Sequence, residues 1–256
     1  MQATRKIAVA GATGRVGRHV VDVLAERGHD VVPIARTVGV DVITGEGLDA
    51  ALAGTECVID AATGPSPEQG AATEFFTTAA RNLHEYGRRA GVRRVVVVSI
   101  IGTERFRGGY GAAKAAHEDA HATGPLPAAV VRAAQFHEFV AQLVDWGTQG
   151  EVAYVPNMRT QLVAARTVAE VIADLALAGD ATFRSCEVAG PREEQLVDAA
   201  TLLVARRGLP LKIEGVSDPG DPDSVLYESG ALLPGPDALL GGPTFEEWLD
   251  STSPAD

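Results

Sequence analysis

Short runs of apolar residues alternate with longer stretches of helical spacing through the first 150 positions of the chain. The runs predict strands at 7–10, 31–34, 57–61, 94–99 and 128–132, because a strand buried on both faces carries apolar residues in succession. The stretches between them predict helices, the longest over 68–90, with others over 110–123 and from 137 to about 149. This alternation dictates a parallel sheet with helices on both faces and right-handed crossovers.

Two details of the pattern are less regular. A weak strand is predicted at 40–43, followed by a short helix that ends near Ala53. Pro33 lies inside a predicted strand that would have neighbours on both sides. Because proline has no backbone N–H for the ladder, we expect a bulge or a local end to pairing at Pro33.

The last hundred residues carry a weaker pattern. It predicts strands at 152–155, 186–188 and 211–213, helices over about 166–178 and 194–207, and a tail rich in Pro, Gly and Asp with a terminal anchor at Phe245, Trp248 and Leu249. No low-complexity linker divides the chain. We therefore expect residues 1–256 to form a single domain, with about 150–256 contributing a small, irregular substrate-binding part.

Three glycines follow the first predicted strand. Gly11 allows a sharp turn, Gly14 lets backbone N–H groups approach a pyrophosphate, and Gly17 lets the next helix pack against the sheet. The phosphates would lie at the positive end of that helix. Glycines at this spacing also occur in ordinary loops, but the flanking strands favour a dinucleotide site in a Rossmann-type, doubly wound α/β fold.

The end of the second strand indicates the cofactor. An NAD enzyme usually places Asp or Glu there to bind the ribose 2′-hydroxyl, whereas Arg accommodates a 2′-phosphate. Here the strand ends at Arg36, with no carboxylate before Asp41, and Arg15 projects from the glycine turn. The pattern favours NADP(H), with a solvated loop arginine as the alternative for Arg36.

A second loop is predicted to pass near the cofactor, because ligands of open parallel sheets lie beyond the carboxyl ends of strands. It follows the strand at 57–61, and a plain strand-to-helix connection is the alternative. The predicted cofactor-binding residues are Gly11, Thr13, Gly14, Arg15, Val16, Gly17, Arg36, Ala61, Ala62, Thr63 and Lys114.

Three polar residues suggest catalysis. Tyr110 and Lys114 stand four apart at the start of a helix and so share a face, where the lysine charge would lower the pKa of the tyrosine. Ser99 ends the preceding strand and would polarise a substrate carbonyl. Each residue has a structural alternative, namely half-buried packing for Tyr110 and a turn cap for Ser99, but their conjunction with the glycine motif favours function.

The chain resembles the short-chain dehydrogenase/reductase superfamily, and within it the atypical NmrA-like or NAD(P)H-binding group. The matching segments are GATGRVG at 11–17, VVVSI at 96–100, YGAAK at 110–114 and VVRAAQFHEF at 130–139. The resemblance implies a proton donor at Tyr110, a ribose-binding and tuning role for Lys114, and carbonyl orientation by Ser99. In isoflavone-reductase-like relatives the lysine carries more of the work.

The chain departs from the best-known members of this superfamily in two ways. Ser99 and Tyr110 are only eleven residues apart, and no asparagine suits the supporting proton relay, since Asn82 is better explained as structural. The resemblance implies an NAD(P)-dependent reductase or dehydrogenase. With Arg36 and the three polar residues, we expect an NADPH-dependent reductase that acts on a small or medium organic carbonyl or conjugated double bond. The alternatives are a non-catalytic NADP(H)-binding redox sensor of NmrA-like type and an epimerase or lyase that uses the cofactor transiently.

The histidines invite a metal interpretation. His117 and His121 stand four apart beside Glu118 and Asp119, which suits a helical zinc pair, but no motif supplies a third ligand. A solvated helix face explains the run better, and we predict no metal. Further candidates, for the substrate pocket, are Phe136, His137 and Met158, with packing as the alternative for His137.

Composition and charge limit the partners. The net charge is −12, from 22 basic and 34 acidic residues, which argues against nucleic-acid binding. The longest apolar run is far too short to span a bilayer, and Cys57 and Cys186 are expected to be unpaired packing residues. We therefore expect a cytoplasmic protein, monomeric or homodimeric, that binds a small-molecule substrate.

Overall fold

A parallel sheet of seven strands lies at the centre of the computed structural model, which describes residues 3–218, 220 and 223–252. The strands of the described chain are β1 Lys6–Ala10, β2 Asp30–Ile34, β3 Cys57–Asp60, β4 Arg94–Ile100, β5 Ala128–Ala133, β6 Thr148–Gln149, β7 Val152–Pro156, β8 Arg159–Thr160, β9 Cys186–Ala189, β10 Glu194–Gln195, β11 Lys212–Val216 and β12 Leu239–Leu240. The α-helices are α1 Gly17–Glu26, α2 Leu48–Leu52, α3 Gln69–Ala90, α4 Gly109–Ala122, α5 His137–Gly147, α6 Ala165–Leu177, α7 Leu196–Arg206, α8 Ser224–Ser229 and α9 Phe245–Ser251.

The central sheet has the order β12-β9-β5-β4-β3-β1-β2, and every pairing in it is parallel. One face packs against α1 and α6, and the other packs against α2 and α3. Strand β4 is buried along most of its length, as its run of valines predicts. The predicted Rossmann-type α/β fold is confirmed, because apolar runs buried on both faces require helices on both sides.

The strand predicted at 40–43 is wrong, since this segment forms turns. The carboxylate of Asp41 accepts hydrogen bonds from the backbone N–H groups of Ile43, at 2.7 Å, and Thr44, at 3.4 Å. The amide of Asn82 in α3 donates to the carbonyl oxygens of Val42 and Ile43, both at 2.8 Å. These bonds satisfy backbone groups that a strand would use in a ladder. They also confirm a structural role for Asn82.

Pro33 occupies an edge strand, so the predicted break in pairing is wrong. Strand β2 pairs with β1 in continuous register from Lys6 opposite Asp30 to Ala10 opposite Ile34, with Pro33 opposite Val9. Because 40–43 does not add a strand, one side of β2 remains unpaired within the central sheet. A proline is tolerated when its missing N–H faces such an edge.

The C-terminal third builds a second hydrophobic core beside a small sheet of order β11-β7-β6. This core gathers residues of α5, β7 and α7 around the terminal anchor, where Phe245 is buried. The tail also returns to the central sheet, because β12 pairs with β9. No helix among the described residues has the length and apolar character needed to cross a membrane.

Candidate functional site

The glycine turn brings the ends of three strands together. Gly11 has a φ of 74° and donates its N–H to the carbonyl oxygen of Ile34 at 3.0 Å. A Cβ on Gly11 would lie 2.5 Å from the carbonyl oxygen of Ala61, and a Cβ on Gly17 would lie 2.1 Å from that of Gly11. Only glycine fits these two positions, because both neighbours are backbone atoms.

The start of α1 has the features of an anion site. Val16 occupies the N-cap position without a side-chain hydrogen bond to the helix, and the first turn carries no acidic residue. Its N–H groups and the helix dipole therefore favour a negatively charged ligand. A dinucleotide pyrophosphate fits this end of α1, with Thr13, Gly14 and Arg15 in the turn before it.

The two candidate arginines have different environments. The Arg15 guanidinium donates to the Gln142 side-chain oxygen at 2.6 Å and lies 5.7 Å from the centre of the Phe139 ring, so it is directed towards α5. Arg36 is exposed at the end of β2, where a short 3₁₀ helix begins. Because Asp41 is bound within its own turn, Arg36 is the charged group of this loop that faces solvent next to the strand end.

Tyr110 contacts the loop after β3. Burial raises the pKa of Tyr110 above its usual value, although the nearby Thr63 side chain and the Arg15 charge oppose that shift. The influence of Thr63 connects two predicted functional segments. The sequence predicts a lowered pKa through Lys114, so this expectation is wrong.

The reason is the direction of the Lys114 side chain. Its ammonium donates to the carbonyl oxygen of Val98 at 2.7 Å and lies 2.8 Å from Nδ1 of His117. It also lies 4.4 Å from the centre of the Phe76 ring. Burial lowers the pKa of Lys114 to about 8, while the charges of Asp60 and Glu118 oppose that shift. Lys114 is thus held against β4 and α3.

Ser99 lies next to this lysine contact, at the residue after Val98. Its side-chain oxygen is buried and has no hydrogen-bond partner among the described residues. A buried hydroxyl without a partner costs on the order of 1–3 kcal/mol, so such a group is a candidate for binding a ligand.

A histidine cluster lies behind Lys114, and the predicted solvated helix face is wrong. His117 and His121 are buried, and both Nε2 atoms approach Oδ2 of Asp60, at 3.0 and 3.1 Å. His84 of α3 extends the cluster, with its Nε2 3.1 Å from Nδ1 of His121. Asp60 is therefore the third group that no motif supplies beside His117 and His121. The sequence predicts it only as part of the strand at 57–61.

The charge states of this cluster follow from burial and hydrogen bonding. Burial lowers the pKa of both His84 and His117 to about 4, with a further contribution from the nearby His121 and Lys114, respectively. Burial opposes ionisation of Asp60, but bonds from His117 and His121 hold its pKa well below the usual value. Near neutral pH, Asp60 is a carboxylate beside neutral His84 and His117.

The loop before Tyr110 is held by the C-terminal tail. The carboxylate of Asp223 accepts hydrogen bonds from the N–H groups of Arg107 and Gly108, both at 2.9 Å. On the other side of the loop, Thr103 donates to Glu118 at 3.2 Å. The tail therefore shapes the approach to Tyr110, a role that spacing in the sequence did not indicate.

The candidates for the substrate pocket lie in packed surroundings. His137 begins α5, donates to the Pro243 carbonyl oxygen at 3.1 Å, and packs beside the stacked rings of Phe245 and Trp248, 5.4 Å from each. Met158 belongs to the second hydrophobic core, and Phe136 packs on the central one. These contacts favour the packing alternative for His137, and the pocket roles stay predictions.

A family model described as NAD(P)H-binding matches residues 11–178, which include the glycine turn, Ser99, Tyr110 and Lys114. The chain belongs to this NAD(P)H-binding family. The matched span begins directly after β1 and contains the anion site at α1 and the ends of β3 and β4. The chain therefore carries an NAD(P)H-binding domain over this span.

Among curated proteins, the chain is similar to a ceramide reductase of Caulobacter vibrioides, with 33% identity over 144 residues. The alignment covers 49% of this chain and 44% of that protein, so the chain matches less than half the length of this relative. The similarity by itself therefore does not extend the activity and substrate of that relative to this chain.

Solved structures share the fold over nearly the whole chain. A dTDP-4-dehydrorhamnose reductase from Bacillus anthracis in complex with NADP aligns with a TM-score of 0.72 and 16% identity, covering 97% of this chain and 98% of that one. MoeE5 in complex with UDP-glucose and NAD aligns with a TM-score of 0.69 and 17% identity, covering 96% of this chain and 92% of that one. A UDP-N-acetylglucosamine 4-epimerase from Bacillus cereus aligns with a TM-score of 0.68 and 18% identity, covering 96% of this chain and 94% of that one.

Proposed function

We propose that this protein is an NADPH-dependent reductase of the short-chain dehydrogenase type that acts on an organic carbonyl or conjugated double bond. The observation that carries the proposal is the buried Ser99 hydroxyl, which has no partner among the described residues and adjoins the Val98 carbonyl that holds Lys114. Tyr110 stands one helical turn before Lys114. Together they supply a hydrogen-bond donor for a substrate oxygen, an acid and a fixed cation.

The residues divide the reaction between them. When bound, the reduced nicotinamide supplies a hydride to the electrophilic carbon. Tyr110 gives its phenolic proton to the substrate oxygen or to the carbanion site, because burial keeps the phenol protonated near neutral pH. Ser99 orients that oxygen, and Lys114 supplies a fixed positive charge beside the bound ligands. The products are the reduced substrate and the oxidised cofactor.

Exposed Arg36 and the lack of a carboxylate at the end of β2 support a preference for NADPH. The similarity to a ceramide reductase supports a reductase and brings lipids of the ceramide type into the substrate panel. An NmrA-like membership, a cytoplasmic location, a monomer or homodimer and a substrate-binding part within about 150–256 belong to the same proposal.

The test is a titration with NADPH, NADP⁺, NADH and NAD⁺, followed by NADPH consumption against ketones, enones, quinones and ceramide-type lipids. We expect NADPH to bind most tightly and one substrate class to consume it. The Ser99→Ala variant should lose turnover about a hundredfold with unchanged NADPH affinity, while Ser251→Ala, at the end of α9, should match the wild type.

Three results would contradict the proposal. Equal affinity for NADH and NADPH would remove the cofactor preference. Turnover without net loss of NADPH would indicate an epimerase or lyase. Tight binding of NADPH with no turnover on any class, together with a protein partner bound in one redox state only, would indicate a redox sensor.

A further inference from the structure

Lys114 is the end of a buried chain of hydrogen bonds. From its ammonium the contacts run to Nδ1 of His117 at 2.8 Å, then from His117 Nε2 to Oδ2 of Asp60 at 3.0 Å. A second branch runs from the same Oδ2 to Nε2 of His121 at 3.1 Å, and then from His121 Nδ1 to Nε2 of His84, also at 3.1 Å. His84 Nδ1 ends the chain at the backbone N–H of Leu126, at 3.3 Å.

The two ends of this chain fix every proton in it. A backbone N–H can only donate, so His84 accepts from Leu126 at Nδ1 and, being neutral, carries its hydrogen on Nε2. His84 therefore donates to His121 Nδ1, and His121 donates from Nε2 to Asp60. An ammonium also only donates, so Lys114 requires a bare Nδ1 on His117.

His117 therefore carries its hydrogen on Nε2 and donates it to Asp60. The Asp60 carboxylate receives both imidazole N–H groups at Oδ2, and its Oδ1 accepts the Ala62 N–H at 3.0 Å. This arrangement of hydrogens satisfies both bonds to Asp60 and the bonds at the two ends of the chain, and it places the two Nε2–H groups, whose nitrogens lie 3.2 Å apart, side by side on the same carboxylate oxygen. It joins one buried anion, Asp60, to one buried cation, Lys114, through a neutral imidazole.

A metal ion is the competing explanation, because Asp60 Oδ2 and the Nε2 atoms of His117 and His121 lie close enough to hold one. A metal needs both Nε2 atoms without hydrogens. Leu126 and Lys114, at the two ends of the chain, place hydrogens on both atoms. The described residues also bring only three donor atoms together, whereas structural zinc takes four ligands.

We infer that Asp60 and His117 are positioning residues, in which Asp60 fixes the His117 tautomer whose bare Nδ1 holds the ammonium of Lys114. The catalytic consequence rests on the proposed function. The structural statement does not, because it concerns the hydrogen positions of the protein alone. This arrangement takes the place of the relay asparagine that the sequence lacks as a support for the lysine.

Several elements face the Lys114 ammonium. Strand β3 contributes Asp60, and helix α4 contributes His117 and Glu118. Strand β4 contributes the Val98 carbonyl, and α3 contributes the Phe76 ring, which also stacks on His117 at 4.6 Å. Glu118 is itself bound by Arg132 of β5, at 3.0 Å. Asp60 is thus the buried anion of this group that no arginine neutralises.

The Asp60→Asn variant tests the inference with little change of shape. The Ala62 N–H holds the amide oxygen at the Oδ1 position, so the amide NH₂ group takes the Oδ2 position and faces both imidazoles. Its hydrogens then require bare Nε2 atoms, which moves the His117 hydrogen to Nδ1, opposite the ammonium. Replacement of an aspartate by asparagine is known to produce such a wrong tautomer in the serine-protease triad.

Nitrogen NMR of the imidazoles and of the Lys114 side chain is the direct measurement. In the wild type we expect Nε2–H tautomers for His84, His117 and His121. In Asp60→Asn we expect the Nδ1–H tautomer for His117 and a Lys114 pKa lower by about one unit. The high-pH limb of kcat should move down by the same amount, with KM for NADPH little changed.

His84→Gln is the matched control. It disturbs the bond between His84 and His121 and leaves the hydrogen bond from His117 to Asp60 in place. It should lower stability without moving the Lys114 pKa or the pH limb. If both variants lose stability and neither changes the Lys114 pKa or the high-pH limb of kcat, the cluster is merely structural and the inference is wrong. If Asp60→Asn fails to fold, the wild-type tautomers still decide, since an Nδ1–H His117 contradicts the chain.

Two further outcomes are separable. Bound zinc at one ion per chain, with a metal shift at the Nε2 atoms of His117 and His121, would overturn the inference. If the protein shows the predicted tautomers and the lowered Lys114 pKa in Asp60→Asn but has no turnover, the positioning role is supported and the proposed reductase is contradicted. Turnover with an unshifted Lys114 in Asp60→Asn would do the reverse.

Discussion

Gly17 packs so closely on Gly11 that a Cβ on Gly17 would lie 2.1 Å from the Gly11 carbonyl oxygen. The contact joins the first turn of α1 to the end of β1, where the pyrophosphate is expected. It explains why the last glycine of the motif is needed for packing as much as for cofactor approach.

Gly17→Ala should therefore displace α1 and weaken NADPH binding at least about tenfold, with a loss of about 1–3 kcal/mol in the free energy of unfolding. Calorimetric titration and urea unfolding measure the two effects. Gly179→Ala is the control, because a Cβ there meets no atom within 4 Å and the φ of −72° suits alanine. Wild-type NADPH affinity in Gly17→Ala would contradict the prediction.

Arg36→Ala should weaken NADPH binding about tenfold and leave NADH binding unchanged, since only NADPH carries the 2′-phosphate that a guanidinium would bind. Titration of both cofactors into the same preparation measures the ratio. Arg207→Ala removes an equally exposed charge at the end of α7 and should change neither affinity. An equal loss of affinity for NADPH and NADH would show that Arg36 does not bind the 2′-phosphate.

Tyr110→Phe should lower kcat about a hundredfold or more, because the proton donor is lost while the ring keeps its edge contact with Phe76 at 5.8 Å. NADPH affinity should fall by no more than about tenfold, the upper net value of one hydrogen bond. Stopped-flow measurement of NADPH oxidation separates binding from chemistry. Tyr154→Phe, in β7, is the control. Unchanged kcat in Tyr110→Phe would remove this residue from the mechanism.

Asp223→Ala should loosen the loop before Tyr110, because Asp223 accepts the N–H groups of Arg107 and Gly108. Two part-buried hydrogen bonds are then lost, and each costs at most about 1–3 kcal/mol. We expect faster hydrogen exchange at 107–108 and a raised KM for the substrate. Asp237→Ala, an exposed aspartate of the tail, is the control. Unchanged exchange at 107–108 would contradict the prediction.

The stability of the fold should fall as the pH drops from about 6.5 towards 4. Burial lowers the pKa of His84, His117 and His137 to about 4, whereas an unfolded histidine titrates near 6.5. In this window the unfolded chain binds protons that the native chain does not. Stability is therefore fully present above about pH 6.5 and declines by about 1.4 kcal/mol per pH unit for each such proton.

Urea unfolding at about pH 7, 6 and 5 measures this decline, with the pH values chosen to bracket the histidine titration. His137→Asn should reduce the slope by about one proton. A slope that is flat down to about pH 4.5 would show that the histidines are not buried in neutral form.

The order of strands and helices could be predicted because it depends on local periodicity. The run at Val95–Val98 is apolar at every position, so it belongs inside a sheet covered on both faces. Residues 40–43 could not be predicted in the same way. Their weak strand pattern loses to bonds from Asp41 and from Asn82, which lies about forty positions away.

The candidate site was predicted in part. The glycine turn and the positions of Ser99, Tyr110 and Lys114 follow from motifs, since each lies at a strand end or a helix start. The partner of Lys114 did not follow, because helical spacing indicates only that Tyr110 and Lys114 share a face. A carboxylate at the end of the apolar segment Cys57–Asp60 was the available signal for Asp60.

By itself, the sequence determined the Rossmann-type sheet, the close glycine turn and the residues offered to a cofactor, because these depend on contacts between near neighbours along the chain. Tertiary structure alone decided the edge position of Pro33, the support of the loop by Asp223 and the tautomer of His117. His84 and Asp60 reach α4 only because α3 and β3 pack against that helix. Burial then fixes the charge of each group, and burial is a property of the assembled fold.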